Sequence, residues 1–144
     1  MNYKLKTLLL RPETASIMIL KYPFTILATI AIWVLSLFPL SLPEPITDVP
    51  FYDKWGHFVM YGTFTLIVLW ESRRAEHVRW KRTFLWRILA IVLMSGLLEL
   101  LQAYATTNRS GEWADFLANS TGVLIGTAIY LATNKLLKTT DLTD

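Results

Sequence analysis

The sequence contains no cysteine. That excludes disulfides, thiolate metal sites and a cysteine nucleophile, and it leaves the redox compartment open. Charge is also scarce: Asp, Glu, Lys and Arg make up 17% of the 144 residues, against 53% apolar. Soluble domains average about 25% charged, and a chain this short cannot hide so much apolar surface from water. There is no nucleotide-binding glycine loop, no Gly-x-Ser-x-Gly elbow and no His-Glu-x-x-His pair, nor any internal repeat or low-complexity segment. The commonest phosphate-binding, serine-hydrolase and zinc-protease chemistries therefore have no basis in the motifs.

What the chain does have is long apolar runs. The first, Tyr22 to Leu40, carries no charge and ends among Pro39, Pro43, Pro45 and Pro50. Proline lacks the amide donor that a helix interior needs, so the helix stops there. No small-x-small cleavage site follows the run, which is long for a signal core, and it is read as a retained helix. The second run is Phe51 to Trp70, the third Phe84 to Tyr104 and the fourth Trp113 to Leu137. Each approaches the ~20 residues that cross a hydrocarbon core. The expected fold is an all-α membrane protein, a compact bundle of four transmembrane helices over residues 22–137. Residues 1–21 precede it, with Leu5, Leu8, Leu9 and Leu10 among Lys4, Lys6 and Arg11 as a short amphipathic helix. Residues 138–144 form a tail.

The basic residues orient the bundle. Lys4, Lys6, Arg11 and Lys21 lie before the first run. Arg73, Arg74, Arg79, Lys81 and Arg82 fall between the second and third with Arg87 on the flank, and Lys135 and Lys138 close the fourth. Only Lys54 and Arg109 fall on the other side. The positive-inside rule places both termini in the cytoplasm of a bacterial cytoplasmic membrane. It also accounts for the net charge of +3, so a nucleic-acid partner is not expected.

Ionisable residues inside spans cost of order 3 kcal/mol each and mark functional sites by default. On this topology they gather in one layer. Asp53 and His57 share a face at the outer end of the second helix, one turn apart, and Tyr61 continues it. Glu99 and Gln102 share a face at the outer end of the third. Asp115 and Asn119 share one at the outer end of the fourth, with Asn108 and Arg109 in the connecting loop. Ala118, Gly122 and Gly126 follow the small-xxx-small spacing that lets helices approach closely in lipid. The layer is expected to be a polar pocket open to the extracytoplasmic side. It would bind a polar or anionic head group whose tail stays in lipid, with Arg109 and Lys54 on the anion and Arg109 paired with Asp115 or Glu99. No cofactor and no metal are expected. One imidazole with two carboxylates suffices for a divalent metal in other folds, but the layer has a single histidine and no metal-spaced pair. Two other readings remain open: a membrane-embedded hydrolase or transferase acting on a lipid-linked substrate, and a structural clamp of hydrogen bonds worth ~0.6–2 kcal/mol each. Oligomeric state is open as well.

The ordered set Asp53-Lys54-x-x-His57-Phe58-x-x-Tyr61, Glu99-x-x-Gln102, Arg109 and Asp115-x-x-x-Asn119-x-x-Gly122-x-x-x-Gly126 resembles the VanZ-like family over Phe51 to Tyr130. The resemblance implies a small bacterial membrane protein. It further implies an accessory role in the cell envelope, with the family's namesake lowering susceptibility to teicoplanin, a lipoglycopeptide that acts on cell-wall precursors. The ligands such a protein would meet are membrane lipid, a lipid-linked wall precursor or the lipopeptide-type drug itself.

Overall fold

The computed structural model describes residues 19–38, 50–75, 80–105 and 112–140. Within them lie four helices: α1 (Pro23–Leu37), α2 (Tyr52–Ala75), α3 (Trp80–Ala105) and α4 (Trp113–Thr140). The expected amphipathic segment at the N-terminus, Asn108 and Arg109 lie outside the described residues.

Local chemistry sets the ends of α1. Pro23 occupies its first turn, where a missing amide hydrogen costs nothing and a φ near −65° is already helical. At the other end Phe38 is extended, with φ −104° and ψ 129°, because the ring of the following Pro39 disfavours helical backbone in the residue before it. The helix is thus 15 residues, shorter than the apolar run that contains it. Helices α2 and α3 extend past the apolar runs that mark them, since helix formation does not stop where charge begins.

Burial is inverted relative to a water-soluble domain. Ser36, His57, Thr65, Glu71, Ser72, Ser95, Glu99, Gln102, Asp115 and Asn119 are buried, while Leu27, Ile30, Leu85, Trp86, Leu93, Leu117 and Leu124 are exposed. Exposing so many large apolar groups to water is prohibitive, and lipid removes the cost. The segments Thr83–Tyr104 and Trp113–Lys135 are long and apolar enough to cross a bilayer, and α1 is a shorter apolar helix.

Helix α2 is the centre of the bundle. Its buried residues His57, Tyr61, Phe64, Val68 and Glu71 recur at three- and four-residue spacing, which is one helix face. That face meets α4. A Cβ on Gly122 would overlap the carbonyl oxygen of Phe58, and one on Gly126 would come within 2.6 Å of the Gly62 oxygen. The contacts climb both helices together, from His57 against Asn119 to Gly62 against Gly126, so α2 and α4 run parallel. Gly122 and Gly126 lie in the crossing and Ala118 is half-buried beside it. Gly62 completes the contact from the α2 side, and sequence spacing within α4 could not have pointed to it.

Polar bonds anchor α1 at both ends. The carboxylate of Glu71, 4% exposed, accepts from the Phe24 amide at 3.0 Å and the Thr25 amide at 2.7 Å. These are among the amides that a helix start leaves unsatisfied, and a carboxylate there also complements the helix dipole. Beside this cap, Trp70 packs against Phe24 and Arg74 stacks on Trp70 at 4.9 Å. At the far end Gln102 donates from Nε2 to the Ser36 carbonyl at 2.6 Å. We expect Glu71→Leu to detach the start of α1 and to destabilise the protein by about 2–3 kcal/mol, the value of hydrogen bonds to a buried charge. Denaturant titration in detergent measures it; a midpoint equal to wild type would show that the cap contributes nothing.

Candidate polar site between the helices

The start of α2, the end of α3 and the start of α4 lie at the same end of the bundle. The parallel α2–α4 pair and the contact of Asn119 on α4 with Glu99 on α3 require this, and they bring together residues far apart in sequence. Asn119, 1% exposed, is the hub. Its Nδ2 donates to Glu99 Oε1 at 3.0 Å, and its Oδ1 lies 3.1 Å from Nδ1 of His57. One amide therefore joins α2, α3 and α4. His57 Nε2 lies 3.9 Å from Asp115 Oδ2, beyond hydrogen-bond distance. Glu99, His57 and Asp115 are each at most 8% exposed. Tyr61, at 1%, sits one turn deeper on the His57 face.

Lys54 closes the layer. Its ammonium contacts Asp53 at 2.6 Å, Glu112 at 2.7 Å and Asp115 at 2.9 Å. The side chain turns inward and ties α2 to α4. An ammonium has three donors, and here three carboxylates use them. An anion cannot engage Lys54 without displacing one of these, so the expected role of Lys54 as an anion contact is not the one the geometry favours. Among the described residues Asp115 takes Lys54 as its basic partner; the pairing of Arg109 with Asp115 or Glu99 lies outside them. Glu112, just before α4, enters the network through the same ammonium.

The structure thus brings Asp53, His57, Glu99, Asp115 and Asn119 into one connected layer. Gln102 lies at the same level but turns to α1. Among the described residues the layer holds four carboxylates, from Asp53, Glu99, Glu112 and Asp115, and one lysine. It is acid-rich.

A cleft of about 560 Å³ opens beside it, between α3 and α4. Val92, Leu93, Leu97, Leu100, Trp113 and Phe116 make most of its wall, and Glu99 and Glu112 are its acidic members. From Val92 to Tyr104 it follows α3 for roughly 18 Å at the helical rise. Leu93, Leu97 and Leu100 are exposed on the outside of the bundle, so the cleft faces the lipid side while Glu99 connects it to the polar layer.

A family model described as VanZ/LLP1 matches residues 4–137. No curated protein and no solved structure matches the chain. The family suggested by the spacing of Asp53, His57, Glu99, Asp115 and Asn119 is the one found.

Proposed function

The chain belongs to the VanZ/LLP1 family, and from that premise we propose that it is an integral membrane accessory protein of the bacterial cell envelope that binds an amphiphile from the outer leaflet. All four helices span the membrane in this reading, with α1 the shortest and both termini cytoplasmic, as the basic residues require. The acid-rich layer then faces the extracytoplasmic side. The ligand's tail lies in the cleft between α3 and α4, and its head group reaches Glu99 and Glu112.

The observation that carries this is the cleft: an apolar groove on the lipid side whose polar end is formed by the same buried Glu99 that Asn119 holds. Binding sites combine mostly apolar walls with a few placed polar groups, and this one is divided by depth as a lipid is. The acid excess among the described residues favours a head group bearing ammonium, amide or hydroxyl donors over a bare anion. A lipopeptide-type drug and an amino-bearing lipid both fit, and a teicoplanin-related role enters as one case of this chemistry. A clamp accounts for the Asn119 bonds but not for the cleft.

The test uses full-length protein in nanodiscs with phosphatidylethanolamine carrying a diazirine in its acyl chain. Photolabelling is expected to concentrate on peptides containing Leu97, Leu100 and Phe116. Leu97→Trp fills the groove and is expected to cut labelling there about tenfold, a loss of about 1.4 kcal/mol, with the melting temperature retained. Teicoplanin, added as competitor, reports whether the drug shares the groove. Labelling spread evenly over α1, α3 and α4, and indifferent to Leu97→Trp, overturns the proposal.

A further inference from the structure

We propose that His57, Glu99 and Asp115 bind a divalent transition-metal ion of the zinc class. Each offers one ligand atom, and these atoms lie within 4.8 Å of one another. They come from α2, α3 and α4, so no sequence spacing within one helix announces them.

The hydrogen-bond chain fixes the direction in which His57 presents itself. Glu99 as a carboxylate only accepts, so the Asn119 group facing it is the amide nitrogen. The other end of that amide, Oδ1, then faces His57 and accepts. The hydrogen of the neutral imidazole is thereby on Nδ1, and Nε2 carries a lone pair. That lone pair points at Asp115 Oδ2 across 3.9 Å. Two acceptors confront each other in a buried site, and the histidine nitrogen has no donor opposite it. A cation between them turns this opposition into coordination.

The donor set selects the ion. One imidazole and two carboxylates suit zinc or manganese, whereas magnesium and calcium prefer oxygen alone. Zinc bonds of roughly 2.0–2.1 Å place ligand atoms about 3.4 Å apart in a tetrahedron, so the triad needs only side-chain rotation to close. Asn119 has the part that a carbonyl acceptor plays behind many metal-bound histidines: it holds the ring by its other nitrogen. It also braces Glu99. The carboxylates supply negative charge beyond what Lys54 neutralises among the described residues, which a dication offsets.

The test is a metal titration of the full chain in detergent, without added lipid. It uses a His77→Gln background and a tag without histidine, so that His57 is the only imidazole. After EDTA stripping, ZnCl2 is expected to bind saturably at one ion per chain, at least 100-fold tighter than MgCl2 or CaCl2. His57→Gln and Asp115→Asn are each expected to weaken zinc binding at least 100-fold, while Tyr130→Phe on α4, distant from the triad, leaves it unchanged. Should either variant fail to fold, the X-ray absorption spectrum of zinc-loaded protein decides, expected to show one imidazole and oxygen ligands. Absence of saturable zinc or manganese binding, undiminished affinity in both folded variants, or a spectrum without imidazole overturns the site. The lipid-labelling experiment is run in EDTA, so failure of either proposal leaves the other standing.

Discussion

Gly122→Val is expected to force α2 and α4 apart and to remove most of the protein's stability in detergent. The reason is geometric. A Cβ at this position overlaps the Phe58 carbonyl and sits 3.0 Å from the Gly62 nitrogen. Both are backbone atoms of a helix, which have no rotamer in which to retreat. Overpacking commonly costs about 1–3 kcal/mol, and a clash against backbone belongs at the upper end. In lipid there is little hydrophobic drive to hold the pair once close packing is lost. Gly56 is the control, because a Cβ there meets nothing within 4 Å. Gly56→Ala is expected to leave the melting temperature unchanged or to raise it, since alanine is favoured over glycine in a helix by roughly 0.5–1 kcal/mol. Thermal unfolding of Gly122→Ala, Gly122→Val and Gly56→Ala gives the comparison. Equal melting temperatures for the three would remove the close crossing from the account.

The second large effect is expected at Asn119. Asn119→Leu keeps the branched shape and removes both hydrogen bonds, the one to Glu99 at 3.0 Å and the one to His57 at 3.1 Å. Breaking a buried network by removing one partner costs about 3–5 kcal/mol, more than the network contributed when intact, because the remaining groups stay desolvated. Asn119→Asp is expected to be at least as damaging, because it sets a third buried carboxylate beside Glu99 and Asp115. Asn119→Leu combined with Glu99→Leu is expected to recover part of the loss, since the stranded acceptor goes with its partner. Denaturant midpoints of the single and double variants measure the coupling directly. If the double variant lost the full sum of the two single changes, Asn119 and Glu99 would not be energetically joined.

Both predictions concern the parallel α2–α4 pair, which suggests how stability and site are linked. Close approach at Gly62, Gly122 and Gly126 sets the distance between the helices. Two turns toward the end of the bundle, that same distance lets His57 and Asn119 touch. A site assembled from three helices needs such a rigid spacer, because a shift of about 1 Å takes a bond of 3.0 or 3.1 Å beyond hydrogen-bond distance. The cap by Glu71 and the Gln102 bond to Ser36 perform the same service for α1, at opposite ends of that helix.

Much of this was determined by the sequence alone. Charge poverty and apolar runs demand lipid as solvent, and the proline after Phe38 stops the first helix wherever the rest of the chain goes. The i, i+4 pairs Asp53–His57 and Asp115–Asn119 share a face in any helix. Such properties depend only on neighbours along the chain, so they are legible without coordinates, and the family pattern is built from them. Only the tertiary structure decided that Asn119 joins the three helices. It also decided that Lys54 turns inward to three carboxylates, that Gly62 is the partner of Gly122 and Gly126, and that Glu71 caps a helix 46 residues earlier in the chain. Each of these is a pairing across helices. Hydropathy is blind to it because it records what a residue prefers as solvent, not which side chain meets it there.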